Sequence, residues 1–263
     1  MKPMMAAFFS KKSITAFIFI FGCGISVMAQ SQVPSSAMQH KKDSTIYTIY
    51  LSFDDGPLEG SEDINDAVQK EDIKVNVFVV GMHAFASARM QRFYKLYEAD
   101  PHIEIGNHSY THAHDHYNLY YAKPDSVLRD FEKNQLELGI KNKLARLPGR
   151  NMWRLKDLVI NDNITGRQAA DTLYKSGYRV FGWDLEWQHS GETGIPLQSV
   201  NEMVEIIERK LREGKTIRKN QLVLLAHDEM FRNGWEESEL KQLILKLKSF
   251  GNYRFEHLSN YPD

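Results

Sequence analysis

The sequence predicts an α/β fold: a mostly parallel sheet wrapped by helices, forming a (β/α) barrel of about seven or eight strands. Three observations carry that prediction. Strand-like and helix-like segments alternate from residue 46 almost to the end of the chain. Residues 221–226 (Gln-Leu-Val-Leu-Leu-Ala) are continuously apolar, the composition of a strand buried on both faces. A chain of 263 residues with no dinucleotide fingerprint favours a barrel over an open doubly wound sheet.

The elements follow in order. Residues 46–53 alternate Ile49, Leu51 and Phe53 with Tyr50 and Ser52, the period of a strand. Gly56-Pro57 breaks it and forces a turn. A short helix is expected over 61–70 and a second strand over 74–80, ended by Gly81. Helical spacing of Phe85, Met90, Phe93, Leu96 and Tyr97 spans 84–99, and Pro101 closes it. Strands over 102–107, 144–148 and 178–183 separate helices over 124–140 and 166–176, the latter capped by Thr165 and Gly177. The helix over 200–212 is strongly amphipathic, and the one over 236–250 ends at Gly251. Residues 253–257 read as a closing strand.

The N-terminus departs from this pattern. Lys11 and Lys12 precede an apolar run over 14–21, and Val27-Met28-Ala29 follows before Gln30. That is the layout of a secretory signal over residues 1–29, and the run is short for a membrane span. The alternatives are a retained anchor helix, or a lipoprotein signal built on Ile20-Phe21-Gly22-Cys23, with Phe21 bulky for that motif. Cleavage after Ala29 would remove the only cysteine, Cys23. Residues 30–44 read as a flexible polar leader, and 45–263 as one domain. The expectation is an exported chain with no membrane span in its mature form, and a monomer. A net charge of −1 gives no footprint of nucleic-acid binding.

Polar residues recur at the predicted strand ends: Asp54-Asp55, then His108-Ser109-Tyr110-Thr111-His112, Arg146-Leu147-Pro148-Gly149, Asp184-Leu185-Glu186-Trp187 and His227-Asp228. In a parallel barrel the C-terminal ends of all strands open on one face, so these groups converge. Adjacent carboxylates repel, and a cation would relieve them, although an Asp-Asp-Gly-Pro turn also suits solvent. One carboxylate and two imidazoles make the ligand set of a catalytic zinc-type site with open positions. His108-x-x-x-His112 is read as two imidazoles on one side of a helical turn. No glutamate follows His108, which excludes the His-Glu-x-x-His protease motif. His114 and His116 are taken as loop residues, with a register slip the alternative that would make one a ligand.

The ordered set Ser-Phe-Asp-Asp-Gly-Pro, His-Ser-x-x-His, Arg-x-Pro and Leu-x-His resembles the polysaccharide deacetylases of carbohydrate esterase family 4, the NodB-homology domain. The resemblance covers residues 46–258 and implies a distorted, NodB-like barrel. It implies that Asp55, His108 and His112 hold a divalent metal, zinc first and cobalt or another ion second. It casts Asp54 as the base that takes a proton from a metal-bound water, Arg146 as its partner, and His227 as the acid that protonates the leaving group. Leu225 would line the acetyl pocket, Gly149 would offer its backbone N–H to the oxyanion, and Trp187 would contact substrate.

Two motifs depart from the family. Gly149-Arg150 stands where an aromatic usually follows Arg-x-Pro, so that pocket wall is missing or comes from elsewhere, with Trp153 a candidate. Glu186-Trp187 replaces an Asp-Trp pair, and either Asp184 or Glu186 is a candidate to tune His227. The function expected is hydrolysis of N-acetyl or O-acetyl groups on an acetylated glycan. A non-catalytic glycan binder, with Trp153, Trp183, Trp187 or Tyr110 stacking on sugars, and a metal-dependent amidase acting on a non-sugar amide are the alternatives.

Overall fold

The computed structural model describes residues 45–162, 165–232 and 238–263. The signal-like segment, Cys23 and the polar leader lie outside the described residues. In chain order the elements are β1 (Tyr47–Asp54), α1 (Ser61–Glu71), β2 (Val75–Val79), α2 (Gly81–Ala84), α3 (Ala88–Ala99), β3 (Ile103–Asn107), α4 (Tyr117–Tyr121), α5 (Pro124–Leu138), β4 (Leu144–Ala145), β5 (Trp153–Arg154), β6 (Val159–Ile160), α6 (Arg167–Lys175), β7 (Arg179–Val180), β8 (Leu185–Glu186), α7 (Val200–Arg212), β9 (Gln221–His227), α8 (Glu239–Ser249) and β10 (Tyr253–Phe255).

The strands form one 10-stranded sheet in the order β6-β5-β7-β4-β3-β2-β1-β9-β8, with β10 placed off that path against β1. β5 runs antiparallel to β6 and β7, and the other strand pairs are parallel. β1 is the hub. One edge pairs with β9 from Thr48 to Asp54; the other is shared by β10 along Tyr47–Ile49 and β2 along Ser52–Phe53. Among the described residues no pairing joins β8 to β6, so the sheet is a curled half-barrel with an open side. The count exceeds the expected seven or eight because β4 to β8 are two-residue strands, too short to carry a period.

All eight residues of β1 are buried. Ile49, Leu51 and Phe53, with Leu222, Leu224 and Ala226 of β9, pack under the apolar stripes of α1, α7 and α8. Tyr50 and Val223 point the other way, into a core with Phe78, Trp153, Phe181 and Tyr261. A third cluster seats Ala145, Leu147 and Val180 under α5 and α6. Each large apolar side chain so buried contributes about 1.5–3 kcal/mol relative to exposure. The alternation along β1 and β9 then puts Ser52, Asp54, Leu225 and His227 on the inner side.

Two local expectations are corrected. The helix expected over 84–99 is split into α2 and α3, because Ser87 is extended (φ −160°, ψ 164°) and its side chain accepts the Met90 N–H. That is an N-cap, and it starts a new helix. At α6 the cap position is held by Gly166 at φ 96°, with no side-chain cap. Thr165 Oγ1 instead accepts Arg150 Nε at 3.0 Å and Nη2 at 2.8 Å.

Candidate active site

β1 delivers Asp54 and Asp55 to the C-terminal edge of the sheet, and a change of backbone hand separates them. Asp54 continues the strand, and its register partner on β9 is His227. Asp55 turns into the left-handed region (φ 71°), a conformation that costs a non-glycine residue about 1 kcal/mol or more and is held by its surroundings. His83 on α2 is part of that hold: its Nδ1 lies 2.6 Å from the Asp55 carbonyl oxygen.

Asp54 is nearly sealed, and its Oδ1 accepts Arg146 Nη1 at 2.8 Å. Arg146 is wholly buried. Nη1 also donates to Ser52 Oγ (2.9 Å), Nε to the Phe181 carbonyl (3.3 Å) and Nη2 to the Gly182 carbonyl (3.0 Å), while the guanidinium lies 4.2 Å over the Phe78 ring. A buried charge is tolerable only when paired and saturated in this way. The pairing fixes the position of the Asp54 carboxylate.

Asp55 faces imidazoles instead. Its Oδ1 lies 3.4 Å from His108 Nε2 and 3.1 Å from His112 Nε2. Burial works against the charged form, but His108 and His112 outweigh it and hold the carboxyl well below the usual range. His108 Nδ1 lies 2.9 Å from the Arg146 carbonyl oxygen. That contact places the proton on Nδ1 and leaves Nε2 as the free lone pair. His112 Nδ1 faces Asp115 Oδ1 at 3.4 Å in the same manner.

The two histidines do not share a helical turn, contrary to expectation. His108 directly follows β3, Ser109 turns left-handed (φ 70°), and His112, Ala113, His114 and Asp115 form a tight turn with φ of 50°, 58°, 46° and 59°. Ser109 Oγ accepts the His112 N–H at 3.0 Å, and Asn107 Oδ1 accepts the Ser109 N–H at 3.0 Å and an Asn134 amide N–H at 2.8 Å. Side-chain acceptors, rather than a helical ladder, aim His112 at Asp55.

A family model described as polysaccharide deacetylase matches residues 41–161. That match and the relatives that follow support the polysaccharide deacetylase family for this chain. A chitin disaccharide deacetylase of Vibrio alginolyticus is 23% identical over 304 residues, covering 81% of this chain and 71% of the relative. The catalytic domain of the peptidoglycan N-acetylglucosamine deacetylase from Eubacterium rectale superposes with a TM-score of 0.59 at 19% identity, covering 84% of this chain and 92% of that one. A family 4 carbohydrate esterase from Streptomyces lividans superposes with a TM-score of 0.56 at 18% identity, covering 81% and 93%. At these identities the structural likenesses establish the half-barrel fold.

The donor set of this chain fits a divalent cation. One ligand atom each from Asp55, His108 and His112 lies within 4.8 Å of the others. Asp55 Oδ1 is buried and accepts no hydrogen bond of good geometry, so the point where three donors meet lacks the partner that buried polar atoms require. One carboxylate and two neutral imidazoles suit zinc and its borderline neighbours.

The remaining candidates separate. His227 ends β9 with its Nδ1 buried and without a hydrogen-bond partner. Leu225 is buried on the same face, two residues back. Gly149 sits after β4 at φ 61°, where an added Cβ would lie 3.3 Å from the Tyr117 ring. Trp187 is 0% exposed, packs on Phe231 and donates Nε1–H to the Gln198 carbonyl at 2.9 Å. It is a core residue, not a sugar platform. Trp153 is also 0% exposed and packs on Phe181 and Tyr261, so it does not replace the absent aromatic. Tyr117 lies beside Gly149 and edge-on to His112 with ring centroids 5.9 Å apart. Asp184 does not reach His227: its two oxygens accept the Ile217 N–H (2.7 Å) and the Val223 N–H (2.8 Å). Glu186 pairs in register with Leu225 and acts on Arg146 through its charge, making no hydrogen bond or ion pair with His227 among the described residues.

The sequence reading missed His83, Tyr117 and His189. His189 stacks on His227 with ring centroids 4.6 Å apart. Each of the three reaches the site from a separate loop or short helix, and no local pattern announces such contacts.

Proposed function

We propose that this protein is an exported, metal-dependent deacetylase that hydrolyses N-acetyl, or O-acetyl, groups of a polysaccharide or oligosaccharide. Residues 1–29 serve as a secretory signal, 30–44 as a leader and 45–263 as the catalytic domain. The observation that carries the reading is the division of labour between adjacent carboxylates: Asp54 is neutralised by buried Arg146, and Asp55 is left facing two imidazole lone pairs. The names of the relatives supply the substrate class, an acetylated glycan.

Asp55, His108 and His112 would hold the cation, zinc first by its ligand set. When bound, the cation would supply Lewis acidity for the acetyl carbonyl and acidify a water. Asp54 takes the proton from the attacking water, and Arg146 pairs with that carboxylate and holds it in place. His227, on the register pair of Asp54, hands a proton to the departing nitrogen or oxygen. Its Nδ1 is buried, so the transfer runs through Nε2. The Gly149 N–H offers a donor to the developing oxyanion, Tyr117 walls that side, and Leu225 bounds the space for the acetyl methyl.

The test is acetate release by the purified mature chain from acetylated chitooligosaccharide, peptidoglycan and acetylated xylan, with zinc or cobalt and with chelator. Acetate from at least one substrate, abolished by chelation and restored by metal, is the expected outcome. Absence of acetate from all three with one cation bound per chain would favour a glycan-binding role.

A further inference from the structure

We propose that His189, held by Glu229, is a positioning residue for His227 and prepares its ring to donate a proton. The inference rests on the deacetylase reading above. It begins with a gap: an acid histidine in this chemistry is expected beside a carboxylate, and among the described residues no carboxylate pairs with the His227 ring. The charged groups around His227 are committed elsewhere. Asp54, across the register on β1, binds Arg146. Asp184 binds two backbone amides. Asp228, the next residue, accepts from Leu58 N, Gly60 N, Ser61 Oγ and Tyr97 OH. Glu186, on β8, lies one register step back beside Leu225.

His189 fills the gap. Its ring lies against His227 at a 49° tilt, and its Nε2 is 2.9 Å from Glu229 Oε1. Glu229 is fixed in turn: Arg232 Nη2 donates to its Oε2 at 2.9 Å, and Arg232 Nε to its carbonyl at 2.8 Å. The loop carrying His189 is a small built unit. His189 bridges Pro196, the Ser190 N–H donates to the Ile195 carbonyl, and the Leu197 N–H donates to the Gln188 carbonyl. Gly194 (φ 72°) packs so closely that an added Cβ would lie 2.8 Å from the Glu229 carbonyl oxygen. The His189 and Glu229 side chains are only 13% and 27% exposed, so the Glu229 charge beside the ring is only partly screened. A carboxylate on Nε2 fixes the proton of a neutral imidazole there and enriches the ring in electron density. Such a ring against His227 favours the protonated form that the donation step consumes.

The experiment compares the wild type with His189→Phe, which keeps a ring against His227 but loses the bond to Glu229, and Glu229→Gln, which keeps an acceptor but loses the charge. Two readouts are taken on the mature chain: the pH profiles of kcat and KM for acetate release, and the proton NMR titration of the His227 ring. Each variant is expected to lower kcat by about tenfold or more with KM within about twofold, in the range of acid–base catalysis. The alkaline limb of kcat and the His227 titration should move together to lower pH. An unmoved limb and an unmoved titration in both variants would show that His189 only packs, and would overturn the proposal. Glu229→Gln keeps the comparison decisive if His189→Phe folds poorly. A wild type that releases no acetate sinks the deacetylase reading, and the NMR titration then still decides whether His189 governs His227.

Discussion

Asp54 and Asp55 are neighbours in the chain and opposites in surroundings. Asp54→Asn keeps an oxygen for Arg146 and removes the base. It should cut acetate release by about 10²–10⁴-fold while metal content stays at the wild-type level. Metal analysis of the purified variant checks this, and loss of the ion would move Asp54 into the ligand set. The pair was legible in the sequence because a strand period followed by Gly-Pro says where the strand stops and what stands at its lip. His108, Arg146 and His227 were legible for the same reason. Tyr117 and His189 were not, since their positions are set by loops whose course depends on the packed whole. The four left-handed residues from His112 to Asp115 were hidden too, because none is a glycine and the side chains that hold them act at short range only after β3 and α5 meet.

The loop between β1 and α1 is held as a unit by one residue from the far end of β9. Asp228 is fully buried and receives two backbone N–H groups and two hydroxyls. Burial pushes its carboxyl up to about 6, with Tyr97, Ser61 and the two amides working against that. Asp228→Ala strands those donors in a dry site. It should destabilise the protein by about 3 kcal/mol, the scale of losing several buried partners at once, read as a lower urea midpoint. Tyr97→Phe removes one of the four bonds and should cost about 1–2 kcal/mol by the same measurement. Elements with long apolar stripes, such as α7, were readable in advance. The β5–β6 hairpin was not, because two residues per strand show no alternation and its Arg154 is buried by contacts to Asp171 and Asn161 that lie outside any local pattern.

At the scale of the whole molecule the sheet has two unlike ends. The C-terminal ends of the strands carry the candidate site, while an ion pair ties the N-terminal end of β2 to the residue that follows β10. Lys74 Nζ lies 2.8 Å from Glu256 Oε1, and Asn260 and the His257 N–H also donate to Glu256. Burial pushes the Glu256 carboxyl up, but Lys74, His257 and Asn260 outweigh it and bring it down to about 2. A carboxylate held below its ordinary value of about 4.3 stabilises the fold fully above that value. The contribution fades as pH falls through the window from about 4.5 to 2. Urea midpoints measured across that window should fall less steeply for Glu256→Gln than for the wild type. An identical slope would show that Glu256 is not the group responsible. The parallel course of the sheet, with β10 clasping the lower half of β1 and β2 the upper half, keeps these ties away from the residues that would meet substrate. A change at Lys74 or Glu256 can therefore alter the stability of the fold without touching the residues that would meet substrate.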